Sequence, residues 1–180
     1  MALVTLETQR LLLRPLNHND LDDLYEYAQD PAVYQPGMWQ PYDSKEQARQ
    51  HLDELLASYN HGLMWWAIEH KADQKMIGRC ELSHIDRDDH HAEIGYALHQ
   101  NYWRKGIMIE ALQQIMTYAF NTMNLNRLHA KTLITNTASQ KLLIKAGFQQ
   151  EGHLRQHSQV KGYPEDVYIY GLLRSDTTTS

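Results

Sequence analysis

The architecture turns on one stretch: Ala92-Glu93-Ile94-Gly95-Tyr96-Ala97-Leu98-His99, then Tyr102-Trp103-Arg104-Lys105-Gly106-Ile107-Met108. Its first half reads as a strand. Its second half opens a helix over about 105–120, where Met108, Leu112, Ile115, Met116 and Ala119 share one face and Glu110, Gln113, Gln114 and Thr117 the other, a 3.6-residue period. Asn126 to Ile134 (NRLHAKTLI) reads as the next strand. A strand, a full helix and a strand predict a parallel pair joined by a right-handed crossover.

Upstream, residues 5–14 read as a strand stopped by Pro15, and 18–29 as a short helix with Leu21, Leu24 and Ala28 on one face. Three prolines and a glycine make 30–43 a loop. Ser44 with Gln47 three residues later forms a capping box for a second helix bearing Leu52, Leu55, Leu56 and Tyr59. Strands at 64–70 and 75–83 form a hairpin around Ala72-Asp73, and 86–91 is a polar turn. Downstream, 136–146 reads as a helix that Gly147 ends as a left-handed cap. Strands at about 148–154 and 165–173 close the chain. The order β-α-α-β-β-β-α-β-α-β-β predicts an α/β (α+β) fold. We expect one domain over 1–174, with a mixed, mostly antiparallel seven-stranded sheet and helices on both faces. Residues 175–180 (SDTTTS) read as a disordered tail.

The chain has 180 residues, enough to bury a core without staples. Its net charge of −5 argues against a nucleic-acid binder. A lone cysteine, Cys80, excludes an internal disulfide and points to a reducing compartment. The first residues lack the order of a signal peptide, and no apolar run approaches the roughly 20 residues of a membrane span. We therefore expect a cytoplasmic protein with neither membrane nor nucleic-acid partners.

The turn into the central helix carries the chemistry. A helix N-terminus presents unpaired N–H groups and a positive dipole end. Gly106 admits a ligand close to the backbone, and Arg104 and Lys105 add charge. Together they suit a pyrophosphate. The alternative is that Gly106 relieves packing and the basic pair is solvated. Neither GxxxxGK[ST] nor GxGxxG is present.

These residues, taken with others in order, resemble a known family. Leu6-Glu7-Thr8-Gln9-Arg10-Leu11-Leu12-Leu13-Arg14-Pro15, the Ala92–Leu98 strand, Tyr102-Trp103-Arg104-Lys105-Gly106, Asn136-Thr137-Ala138-Ser139 and Lys145-Ala146-Gly147-Phe148, then Glu151-Gly152 and Arg155, resemble a GNAT-type N-acetyltransferase. The likeness is to the ribosomal-protein N-terminal (serine/alanine) acetyltransferase branch and covers nearly the whole chain. Arg104 stands where the branch usually has Gly, and Met108 where it has a small residue.

The resemblance implies acetyl-CoA as co-substrate and no metal. The pyrophosphate would lie on Trp103, Arg104, Lys105, Gly106, Ile107 and Met108. The pantetheine would thread between the splayed parallel strands, held by backbone groups of Ala97 and Leu98, with Asn136 and Ser139 at the thiol end. Glu93 is the first candidate base, or else a solvated strand glutamate; Glu81 is the second. Ser139 is the candidate acid, or else a helix-start hydrogen-bonding residue. A tyrosine that some members use as acid is replaced here by Leu143. Trp39, Tyr42, Glu81 and Tyr163 would line the acceptor pocket, although the aromatic residues also suit a core. Cys80 reads as a buried strand residue, not a nucleophile. His84, His90 and His91 lack the spacing of a metal site. The expected activity is acetyl transfer to a primary amine, a protein N-terminus or a small molecule, with a homodimer as the family-level expectation. A non-catalytic acyl-CoA-binding module is the alternative, and a nucleotide-binding domain a third.

Overall fold

A computed structural model describes residues 3–177. The strands are β1 (Leu6–Glu7), β2 (Leu11–Pro15), β3 (Met64–His70), β4 (Lys75–Asp86), β5 (His91–Leu98), β6 (Arg127–Leu133), β7 (Gln149–Val160) and β8 (Tyr163–Leu173). The helices are α1 (Leu21–Ala28), α2 (Pro31–Tyr34), α3 (Lys45–Ser58), α4 (Ile107–Asn121) and α5 (Thr137–Lys145). One sheet runs in the order β1-β2-β3-β4-β5-β6-β8-β7. Only β5 and β6 are parallel; every other neighbouring pair is antiparallel.

The sheet has eight strands rather than seven. The expected first strand folds back on itself at Thr8–Arg10, so that Leu6 pairs with Leu13. The Thr8 hydroxyl accepts the Leu11 N–H at 2.9 Å and holds this turn. The 30–43 loop contains the single turn α2, with Asp30 capping the Ala32 N–H and Pro31 at the first helical position. β7 runs six residues past its expected end and β8 starts two residues early, so the pair meets at Lys161-Gly162. Residues 174–177 form a 3₁₀ turn, with the Leu173 N–H on Asp176 and the Thr177 hydroxyl on the Arg174 carbonyl. The first three residues of the expected disordered tail are thus ordered, and the rest of it lies outside the described residues.

Alternation along the strands feeds two cores. Trp66, Ile68, Cys80, Leu82 and Ile94 pack with Leu112, Ile115 and Ala119 of α4 and Leu143 of α5. Trp65 and Ala67 face the other way, against Leu21 and Leu24 of α1 and Leu52 and Leu55 of α3. The period-2 pattern of a strand sandwiched between helices produces this division. Gly147, at φ 97°, ends α5 as expected.

α4 anchors both the core and the loop before it. Leu112 is fully buried in its stripe. Leu112→Ala is expected to lower stability by about 2–5 kcal/mol, read as a reduced urea midpoint at unchanged slope.

Candidate active site

The parallel pair is short. β5 and β6 match at His91–Arg127, Ala92–Leu128 and Glu93–His129, and then part. Past that point β6 stays on β8 as far as Leu133, and β5 stays on β4 as far as Leu98. Residues 94–98 therefore show an edge with no strand partner. A cleft of about 700 Å³ occupies the gap and runs from Arg104, Gly106 and Lys145 at one end to Trp39, Trp65 and Glu81 at the other.

At the first end, the α4 N-terminus is set by an ion pair across the fold. Glu110, in the first turn, accepts from the Thr8 hydroxyl (2.6 Å), the Arg10 N–H (3.0 Å) and Arg10 Nε (2.7 Å). Arg10 Nη1 also donates to the Lys105 carbonyl at 2.8 Å. Trp103 Nε1 donates to the Leu98 carbonyl at 2.8 Å and ties the loop to the strand end. Gly106 takes φ 74° and no side chain caps the helix it begins, so the first N–H groups of α4 remain available to an anion. Arg104 also adopts a left-handed φ, 60°, which explains why glycine is usual there. Successive left-handed turns make an anion-binding concavity. Arg104 is exposed at this mouth, and Lys145 joins it from α5. Lys105 is exposed, lies outside the cleft lining and stands 5.6 Å from the Tyr102 ring. Met108 is buried and lies 3.7 Å from Cys80 Sγ, so its bulk is absorbed by the core.

Midway, Asn136 Oδ1 accepts the Ser139 N–H at 3.1 Å and caps α5. Asn136 Nδ2 donates to the Pro36 carbonyl at 3.0 Å. Both ends of that amide serve the fold, so Asn136 positions the α5 start and the 30–43 loop. The Ser139 hydroxyl lies 2.8 Å from the Tyr96 hydroxyl. Burial pushes the Tyr96 phenol up, so it stays protonated. Tyr96 escaped notice in the sequence because its partner is 43 residues away.

Two carboxylates sit in the cleft with opposite tendencies. Glu93 is held by Lys131 (2.9 Å), His84 (3.4 Å) and His129 (3.6 Å). Burial alone would raise it, but hydrogen bonds and charge from His129 and Lys131 outweigh burial and bring it to about 2. A carboxylate so weakly basic is a poor proton acceptor, which counts against Glu93 as the base. Glu81 has no such partners among the described residues. Burial pushes it up to about 7, Arg79 pulls against the rise, and Glu93 adds to it. Glu81 stands opposite Gly95, and a methyl group there would come within 2.5 Å of its carboxylate. Gly95 thus gives Glu81 the space to lie over β5. Carboxylates driven apart in this way mark a proton-transfer site.

At the far end, Trp39, Val33 and Pro36 of the 30–43 segment line the cleft. Tyr42 lies behind them in an adjoining hollow. Tyr163 is 70% exposed on the hairpin and does not reach the cleft. Its neighbour Lys161 does the tethering instead, donating to the Tyr34 (3.0 Å) and Gln35 (2.8 Å) carbonyls. Cys80 is buried, and burial raises its thiol far above the ordinary range. Around the polar turn, Asp86 Oδ1 is occupied by the Asp88 and Asp89 N–H groups.

An open strand edge beside an uncapped helix start suits a ligand with an extended arm and an anionic end. The acetyltransferase (GNAT) domain family matches residues 10–149. An uncharacterized N-acetyltransferase of Bacillus licheniformis is 39% identical over 175 residues, covering 96% of this chain and 97% of its own. The ribosomal protein uS5-alanine N-acetyltransferase of Escherichia coli is 29% identical over 185 residues, covering 97% and 93%. Spermidine N-acetyltransferase from Vibrio cholerae, solved in complex with CoA and spermine, shares the fold at TM-score 0.79 and 22% identity, covering 94% and 98%. The chain belongs to the GNAT acetyltransferase family and is an acetyl-CoA-dependent N-acetyltransferase. No helix among the described residues is long and apolar enough to cross a membrane.

The paired state of Glu93 has a stability consequence. Its carboxyl lies lower in the folded chain than in the unfolded one, so its contribution is complete above pH 4.5 and fades as pH falls toward 2. Glu93→Gln is expected to cost about 1–2 kcal/mol at pH 7, the ion pair being partly screened by solvent. The gap to the parent should narrow below pH 4.5 in denaturation curves.

Proposed function

We propose that the chain acetylates a primary α-amine by direct attack on the thioester of acetyl-CoA, with Glu81 as the base. The observation that carries this is Glu81 itself: a carboxyl near pKa 7, in the acceptor half of the cleft, without an ion-pair partner. An attacking amine must be neutral. A peptide N-terminal α-amine with pKa near 8 is neutral in about one molecule in ten at pH 7, a free amino acid's more basic amine less often, and a lysine side chain in about one in 2,500. A base poised near 7 matches the first and falls far short of the last.

The diphosphate would rest on the loop from Trp103 to Met108, with Arg104 and Lys145 at the mouth. Backbone groups of Ala97 and Leu98 would hold the pantetheine and polarise the carbonyl as charge develops on its oxygen. Glu81 takes the amine's proton as the C–N bond forms. The thiolate leaves toward Ser139, whose hydroxyl, hydrogen-bonded to Tyr96, donates a hydrogen bond to it, and the departing thiolate takes its proton from solvent. No covalent intermediate is required, in keeping with the buried state of Cys80. Trp39 and Tyr42 would pack against the acceptor, with Tyr42 reached from the adjoining hollow. The E. coli relative acts on the alanine of a ribosomal protein and the V. cholerae protein on spermidine, so a protein N-terminus and a small amine are both within the family's chemistry. The reading extends to the cytoplasm as the site of action and to a homodimer, which light scattering reads directly.

Two protons must leave before attack, one from Glu81 and one from the amine. Below pH 7, log kcat/KM of the parent should therefore rise with a slope approaching two. Glu81→Gln is expected to lower kcat/KM roughly 10²-fold or more and to leave a slope of one. An unchanged profile would remove Glu81 from the reaction. Tyr96→Phe and Ser139→Ala should each slow transfer, and the double variant should lose less than the sum, because the two hydroxyls act as a pair.

A further inference from the structure

Arg79 is out of character among the arginines of this chain. Arg10, Arg14 and Arg127 hold carboxylates, and Arg174 holds backbone carbonyls. Arg87, Arg104 and Arg155 are exposed. Arg79 is partly buried, lines the acceptor half of the cleft, and has no carboxylate oxygen within 4.0 Å among the described residues. Its guanidinium lies 5.1 Å from the centre of the Trp65 ring, with the Tyr42 hydroxyl beside it. A ring face and a phenol support a cation but do not neutralise it. A guanidinium withdrawn from water is costly until an anion meets it, and its planar fork matches a carboxylate.

The neighbour along the strand sharpens the point. Arg79 and Glu81 are two residues apart on β4, opposite Ala97 and Gly95, so both point to the same face. Their Cα atoms are separated by about 6.6 Å at ordinary strand rise. They do not pair with each other, and both line the cleft. An acceptor bearing an amine and a carboxylate a few bonds apart fits this gap, amine toward Glu81 and carboxylate toward Arg79. A polyamine would instead bring a second ammonium against the guanidinium.

We infer that the acceptor carries a carboxylate a few bonds from its primary amine, and that Arg79 is the group that receives it. This rests on the proposal that the amine is delivered at Glu81. The carboxylate belongs either to a free amino acid or to an acidic side chain at a peptide N-terminus, and paired acceptors separate the two sources.

The test compares alanine with alaninamide, and Asp-Ala-amide with Asn-Ala-amide, at saturating acetyl-CoA. Carboxamides of amino acids have the less basic amine, so amine ionisation alone would favour alaninamide. The parent is expected to prefer the carboxylate member of at least one pair by about tenfold or more in kcat/KM. Arg79→Gln should erase that preference and Arg79→Lys keep part of it, with acetyl-CoA affinity unchanged in both. Neutral acceptors used as well as acidic ones by the parent would overturn the inference without any variant. A second readout is independent of turnover: calorimetric binding of N-acetylalanine and N-acetylalaninamide to the CoA-loaded parent and Arg79→Gln. Arg79-dependent preference for the acid without transfer to any amine would keep the anion site and reject the transfer mechanism. Equal binding of the acid and the amide, both in this pair and in N-acetyl-Asp-Ala-amide against N-acetyl-Asn-Ala-amide, would reject the anion site.

Discussion

Everything in this site follows from where β5 and β6 separate. Three residue pairs join them, and the last is Glu93 with His129. The next residues of each strand diverge because β6 continues on β8 while β5 continues on β4. A sheet interior normally satisfies every backbone group, so an unpartnered edge beneath two helical layers is a standing demand for a ligand. An extended thioester arm would answer it in the manner of an added strand. Glu93 sits at the fork, and its ties to His129 and Lys131 brace β5 to β6 where the pairing stops. The residue expected to move protons thus also ties the two strands together.

Burial is the main influence on Glu81, with Arg79 opposing it and Glu93 adding to it. The cleft then has one carboxyl that is always ionised and one near neutrality. Positive charge is spread along the cleft, with Arg104 and Lys145 at the α4 end, Lys131 paired with Glu93 between, and Arg79 at the Trp39 end.

Local signals were legible in the sequence. The stripe from Met108 to Ala119, the Ser44 cap and the Gly147 stop rest on neighbours within a turn or two, and each appears in the structure. The parallel pair followed from connection length alone. The turn at Thr8–Arg10 was illegible because Glu7–Arg10 carries no glycine, proline or asparagine to mark it, while its hydrogen bonds come from Glu110 about a hundred residues away. The choice between Glu81 and Glu93 depended on strand register. Both lie in similar strand settings, and only pairing shows that one faces Gly95 and the other two histidines and a lysine. Tyr96 and Arg79 were missed for the same reason: their roles are set by partners across the sheet or by the lack of them. Tyr163 was placed at the acceptor by likeness, whereas the hairpin turn brings Lys161 to the loop.

The most direct measurement is a crystal structure of the chain with CoA. The account places the diphosphate on the amides that begin α4, the pantetheine along residues 94–98, and the sulfur within hydrogen-bonding reach of the Ser139 or Tyr96 hydroxyl. A cofactor bound elsewhere, or strands β5 and β6 zipped together past Glu93 with the sulfur far from both hydroxyls, would contradict it.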